Sequence, residues 1–268
     1  MTIATLLATN AVVLVVMFFI LWLITLRTRD VTPVDSVWAL GMVVLGWSTF
    51  VQTGGDPERK LLMMALCTLW GVRLGGYLLW RWRQHGADRR YQTMFAKVKE
   101  AKGWGLGQAS ARLVYIVQAP LLFIVCLPVQ LGQIDATPPV GALGLVGAAV
   151  ALVGILFETI GDWQLVRFRR DPANAGQVLT SGLWRYTRHP NYFGDACTWW
   201  GLYLIGAESG AEISTGLWAL PGPILLTWTL IKWSGVPTVE GRMKRRKPGY
   251  DDYVRRTSGF LPWFPKTG

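Results

Sequence analysis

The chain is short of charge: Asp, Glu, Lys and Arg make up 16% of its 268 residues, against about a quarter in ordinary soluble domains. Too few remain to coat a water-facing surface, which excludes a soluble globular protein. Histidine is nearly missing, with two copies, and the three cysteines (Cys67, Cys126 and Cys197) stand singly in apolar stretches without CxxC spacing. That scarcity excludes a disulfide framework and a zinc site, and no metal is expected; the cysteines read as small core residues. Internal repeats, low-complexity tracts and shifts of composition are lacking too, so residues 1–268 read as one domain.

What the chain has is apolar length: 51% hydrophobic residues and 15 tryptophans, with a mean hydropathy of +0.31. These residues come in long runs and not at the spacing of a soluble helix or strand. Crossing a hydrocarbon layer of about 30 Å takes about 20 apolar residues in a helix. Seven segments qualify: 3–26, 35–52, 61–80, 110–132, 139–163, 192–208 and 216–235. The predicted fold is therefore all-α, a polytopic membrane bundle of about seven transmembrane helices. The first segment has no Lys or Arg before it and exceeds a signal-peptide core, so it reads as a retained helix.

A net charge of +11 would point to nucleic acid in a soluble protein. Here the basic residues flank apolar spans, and topology and anionic headgroups explain them without a nucleic-acid partner. They also alternate. Arg27 and Arg29 follow the first span, seven basic residues lie between Arg81 and Lys102, and Arg167, Arg169, Arg170, Arg185 and Arg188 follow the fifth. The tail adds Arg242, Lys244, Arg245, Arg246, Lys247, Arg255, Arg256 and Lys266. The intervening connections hold Arg59 and Lys60 in one case and no basic residue in QIDATPP or ESGAEIST. The positive-inside rule then predicts the amino terminus outside and the carboxyl terminus in the cytoplasm. The polar stretches 81–108, 164–190 and 236–268 would form a cytoplasmic cap.

Ionisable groups inside a span cost about 2.5–3.5 kcal/mol each and normally face a bundle interior. Four stand out. Asp35 opens the second span and is either a first-turn carboxylate or a site residue. Arg73 lies mid-span with Tyr77 one turn on, and is either a structural ion pair or part of a buried site. Glu158 and Asp162, four residues apart on one helix face, would repel unless a cation, a donor-rich ligand or a retained proton separates them. Beyond them come Arg167, Arg169 and Arg170, then RHPNY leading into the sixth span, with Asn191 and Asp195 again four apart. Arginine forks and a helix N-terminus suit a phosphorylated ligand, whereas a positive-inside anchor would need no Asn, His or Asp in that order.

The segments DWQLVRFR (162–169) and SGLWRYTRHPNYFGD (181–195), the tail from Glu240-x-Arg242-Met through PGYDDY to FLP, and WGVRLGGYLLWRW followed by DRRYQ carry a resemblance. The chain resembles the steroid 5-alpha-reductase-like family, in particular its uncharacterised bacterial branch, with sterol delta-14 reductases and lamin B receptor as relatives. The resemblance implies an NADPH-dependent reductase in a bacterial inner membrane, its cofactor in a cavity among the C-terminal spans, facing the cytoplasm. By position, Asp162, Arg169, Asn191 and Asp195 match cofactor-binding residues, and Arg167, Arg188, His189, Tyr192, Glu240 and Arg242 are weaker candidates. Glu158 stands where the steroid enzymes have Asn. The early-span Gln-Glu pair of the steroid enzymes is missing, with Asp35 only roughly comparable in place.

The chemistry expected is hydride transfer to an alkene conjugated with a carbonyl, in a lipophilic substrate drawn from the membrane lipid. A donor must polarise the carbonyl oxygen; a protonated Asp35, or Tyr77 beside Arg73, would serve. Arg89 and Tyr91 would reach the cofactor phosphate. Two alternatives stay open: an S-adenosylmethionine-dependent methyltransferase of the isoprenylcysteine carboxyl methyltransferase type, which shares RHP followed by Tyr, and a non-catalytic sterol or lipid binder.

Overall fold

The computed structural model describes residues 2–208, 215–233 and 235–266. Those residues are helical without a strand, apart from one isolated parallel bridge between Thr187 and Ser258. In chain order the helices are α1 (Ile3–Thr28), α2 (Pro33–Gln52), α3 (Pro57–His85), α4 (Arg89–Lys102), α5 (Leu106–Ser110), α6 (Ile116–Val125) and α7 (Leu127–Leu131). Then follow α8 (Ala142–Arg170), α9 (Pro190–Ala207), α10 (Pro221–Trp228), α11 (Val236–Arg246) and α12 (Tyr250–Arg256).

Five stretches are long and apolar enough to cross a membrane: α1, α2, α3, Leu106–Val125 and α8. The other two expected spans differ for physical reasons. α9 begins Pro190, Asn191 and carries Asp195, and its polarity is tolerable because Asp195, Thr198, Trp199 and Leu202 are buried in the bundle. The 216–235 segment breaks into the 3-10 turn Thr215–Ala219, the eight-residue α10 and the π turn Thr229–Trp233. Residue 234 and most of the ESGAEIST connection lie outside the described residues. The expected 110–132 span is also segmented, with a π turn at Ala111–Tyr115 and a break at Cys126, where Pro128 withholds a backbone donor. The expected polar stretch after α3 is ordered: α4 is a surface helix whose Tyr91, Met94 and Phe95 pack on the core.

Arg59 and Lys60, the two basic residues that break the charge alternation, are consumed internally. Arg59 is buried and donates to the carbonyls of Asp135, at 2.9 Å, and Pro138, while Lys60 donates to that of Thr53.

The tightest packing is between α8 and α9. Gly147, Gly154 and Gly161 recur every seven residues on α8, and Gly194 and Gly201 do so on α9. A Cβ on Gly154 would sit 2.5 Å from the Gly194 carbonyl oxygen, and one on Gly201 the same distance from that of Gly147. The two helices therefore run antiparallel at backbone contact, the geometry that small residues permit in membranes. Glu208, just past α9, fixes one end by accepting from the backbone N–H groups of Gly141, Leu143 and Gly144 at 2.7, 2.9 and 2.8 Å, which caps α8. At the other end the Trp184 indole donates to the Gly161 carbonyl at 3.0 Å. Toward α3, Trp70 and Trp199 are both fully buried and meet edge to face at 5.2 Å.

A Gly154→Leu variant should lose about 3 kcal/mol of stability or fail to accumulate, because its Cβ meets backbone. Gly76→Leu, with nothing within 4 Å of the added Cβ, should unfold within a degree or two of the parent in a thermal melt.

Candidate functional site

The glycine contact sets the site, because it brings the last turns of α8 against the first turns of α9. Glu158 and Asp162 project from one face of α8, and Asp195 from α9; all three are buried. Arg73 enters from α3. Its Nη1 donates to Asp162 Oδ2 at 2.8 Å, and Nη2 pairs with Glu158 Oε2. The agent that separates the two carboxylates is thus Arg73, a planar fork suited to both. Asp195 has no such cation among the described residues: its Oδ1 is buried, and the donor beside it is the indole of Trp70, whose Nε1 is buried as well. A buried acceptor of this kind is costly and calls for a donor.

Around this core lies a cationic rim. Tyr77, one turn beyond Arg73, stacks on Trp80 at 6.0 Å, and the Arg81 guanidinium sits 5.9 Å from its ring. Arg169, two turns beyond Asp162, shares the field of Tyr77, Arg81 and Asp162. Tyr192 stacks flat on His189 at 5.2 Å and feels the charges of Arg90, Arg81, Asp162 and Asp195. Asn191 is half-buried in the first turn of α9, its side chain without a hydrogen bond among the described residues. Arg73, Tyr77, Asp162, Arg169, Tyr192 and Asp195 thus form one cluster, with Asn191 near its edge. Arg81 and Arg90 were not anticipated as site residues. The spacing 73, 77, 81, one helix face, held the signal for Arg81.

Asp35 departs from expectation. Its Oδ1 accepts from the Tyr91 hydroxyl at 2.7 Å and its Oδ2 from Arg90 Nη2 at 2.9 Å. Both oxygens thus accept, one of them in an ion pair, where a donor was expected. Tyr91 is committed to the same contact; burial, and then the Asp35 charge, push its phenol well above the ordinary value. Arg89 and Arg90 are both exposed, but Arg90 is the one that pairs with Asp35 and with Asp88, which caps α4 by accepting from the Arg90 N–H at 2.7 Å.

The weaker candidates also separate. Arg188 Nε and His189 Nε2 both reach Glu240 Oε1, at 2.7 and 3.1 Å, and Arg188 donates to the Thr257 carbonyl at 2.6 Å. The Tyr253 hydroxyl donates to the Trp184 carbonyl at 2.5 Å. Arg188, His189 and Glu240 therefore lock the C-terminal helices onto the RHPNY turn, so their charges are not free for a cofactor. Arg242 is exposed on α11, and Arg167 lies over Trp163 at 5.5 Å, away from the Arg73 face.

A family model described as a protein of unknown function, DUF1295, matches residues 21–257. The chain belongs to the DUF1295 family. DUF1295 is a family in the steroid 5-alpha-reductase-like superfamily, and the match takes in every residue of the cluster and of the tail lock up to Thr257. An uncharacterized protein of the fission yeast Schizosaccharomyces pombe is 23% identical over 281 residues, covering 91% of this chain and 76% of its own length. No solved structure matches.

The lock has a pH signature. Burial would raise the Glu240 carboxyl, but hydrogen bonds from His189 and Arg188 outweigh it and hold its pKa down to about 2, against an ordinary 4.5. A depressed carboxyl stabilises the fold above its unfolded pKa and loses that contribution as pH falls through the folded one. Limited proteolysis should therefore find residues 236–266 increasingly cleavable as pH drops from 4.5 toward 2. Glu240→Gln should be cleaved faster at neutral pH and show no such pH slope.

Proposed function

We propose that this DUF1295 protein is an NADPH-dependent membrane reductase that transfers hydride to a carbonyl-conjugated C=C bond in a lipophilic, steroid-like or other lipid substrate. What carries the reading is a buried carboxylate with no ion-pair partner among the described residues, Asp195, close to a group of arginines. A dinucleotide has the complementary parts. Its carboxamide N–H would meet Asp195, with Asn191 offering the second amide contact, and its phosphates would meet Arg81 and Arg169. When bound, the cofactor supplies the hydride.

The protein's own contribution is placement and polarisation. Trp70, Trp199 and the α8–α9 backbone exclude water from the interior side. Tyr77, rather than Asp35, is the donor available for the substrate carbonyl oxygen, since Asp35 is engaged by Arg90 and Tyr91. In this reading all seven segments cross, with α9 and the α10 stretch sheltered inside the bundle. The arginine-rich end faces the cytoplasm, in a bacterial inner membrane, where NADPH is supplied. Kinship with the steroid reductases rests on SGLWRYTRHPNYFGD and its neighbours.

One observation favours a second reading. Near the core three carboxylates, Glu158, Asp162 and Asp195, face one guanidinium, an excess that suits the cationic sulfonium of S-adenosylmethionine. Phosphate-binding arginines would have no task in that case.

Titration of purified full-length protein with NADPH, followed by cofactor fluorescence, separates the two. Saturable binding is expected, weakened about tenfold or more in Arg169→Ala by loss of a charge-assisted contact, and unaffected by S-adenosylmethionine. No uptake of any dinucleotide, or displacement by S-adenosylmethionine, would overturn the reductase reading.

A further inference from the structure

Three tryptophans at the basic end of the bundle carry cations on their rings. Arg170 lies over Trp80 at 5.8 Å and Arg167 over Trp163 at 5.5 Å, one cation to each ring. Trp104 differs. Lys102 Nζ and the Arg112 guanidinium both lie 4.8 Å from its ring centroid. Two like charges on one indole repel, and the ring's quadrupole repays each only in part at an exposed site. Neither cation has a carboxylate partner among the described residues, whereas Arg73, Arg90, Arg188 and Lys244 each have one.

The place of this cluster in the fold says what would complete it. Lys102 ends α4, Gly103 turns the chain in the left-handed region, and Trp104 precedes α5, which starts the apolar stretch Leu106–Val125. Arg112 lies inside that stretch, in its first turns, and reaches back up to Trp104 as long basic side chains do from within a membrane. The Trp22 indole of α1 donates to the Gly107 carbonyl at 3.1 Å, which fixes α5 against a second crossing helix. Tryptophan and arginine at such a depth mark the headgroup layer. Lys97 and Lys99 on the same surface helix are also exposed.

We propose that Lys102, Trp104 and Arg112 form a binding site for the phosphate of an anionic phospholipid. The phosphodiester lies between the two cations, its acyl chains run down beside Leu106–Val125, and the indole packs against the glycerol region. The site shares no residue with the Arg73–Asp195 cluster and does not depend on the reductase reading.

The test is a thermal melt of the full-length protein in neutral detergent, with added phosphatidylglycerol, phosphatidylcholine or inorganic phosphate. Phosphatidylglycerol should raise the midpoint by roughly 3 °C or more, and the other two should not. The double variant Lys102→Ala/Arg112→Ala should lose most of that increment, while Arg245→Ala/Arg246→Ala, which removes as much charge from α11, should keep it. Should the double variant not fold, Lys102→Ala alone, on an exposed position, should still halve the increment. Equal increments in parent and variant, an equal response to phosphatidylcholine, or an equal loss in the α11 variant would overturn the site. A response to inorganic phosphate matching that to the lipid would overturn the lipid assignment.

Discussion

Arg73 holds two carboxylates of another helix in the interior of an apolar bundle, and the arrangement of the candidate site follows from that contact. Ionised groups leave water at a cost of several kcal/mol each, and the mutual attraction repays it only with good geometry. A guanidinium fork supplies that geometry: Nη1 stands 2.8 Å from Asp162 while Nη2 serves Glu158. The pairing fixes α3 against α8. Because α8 and α9 touch through their glycines, it also fixes the depth of Asp195, the carboxylate of the three that has no ion pair among the described residues. A ligand that meets Asp195 would enter a cluster already held in place, and would not have to build one.

The same economy explains which spans were easy to see. α1, α3 and α8 expose apolar side chains along much of their length, and these Val, Leu and Phe residues made them plain in the sequence. α9 was the weakest apolar run because most of its surface meets protein; a helix sheltered by neighbours can carry Asn, Asp and glycine without meeting lipid. The heptad glycines were present in the sequence, but a glycine at seven-residue spacing acquires meaning only when a partner helix carries the complementary set. The interruptions at Cys126 and around α10 depend on how prolines meet neighbouring backbone, which composition does not reveal.

In the candidate site, the ionisable residues inside spans were the legible part: Arg73, Glu158 and Asp162 stood out by cost alone, and they meet. The residues at span ends were not separable in this way. Asp35, Arg188 and Glu240 look like site residues by type, yet each is engaged by a partner far along the chain, Arg90 for the first and each other for the last two. Resemblance carried Arg188 and Glu240 to the cofactor, whereas their contacts assign them to joining the tail with the RHPNY turn. A side chain in a polar stretch can serve either purpose, and only its neighbour in space decides.

Arg73 neutralises the α8 carboxylates, and thermal unfolding of full-length Arg73→Met against Arg73→Met/Glu158→Gln/Asp162→Asn measures that role. Removing the guanidinium alone leaves two buried charges uncompensated and should cost about 3–5 kcal/mol; neutralising the carboxylates as well should restore most of it. An Arg73→Met protein that melts with the parent, or a triple variant no more stable than the single one, would contradict the account.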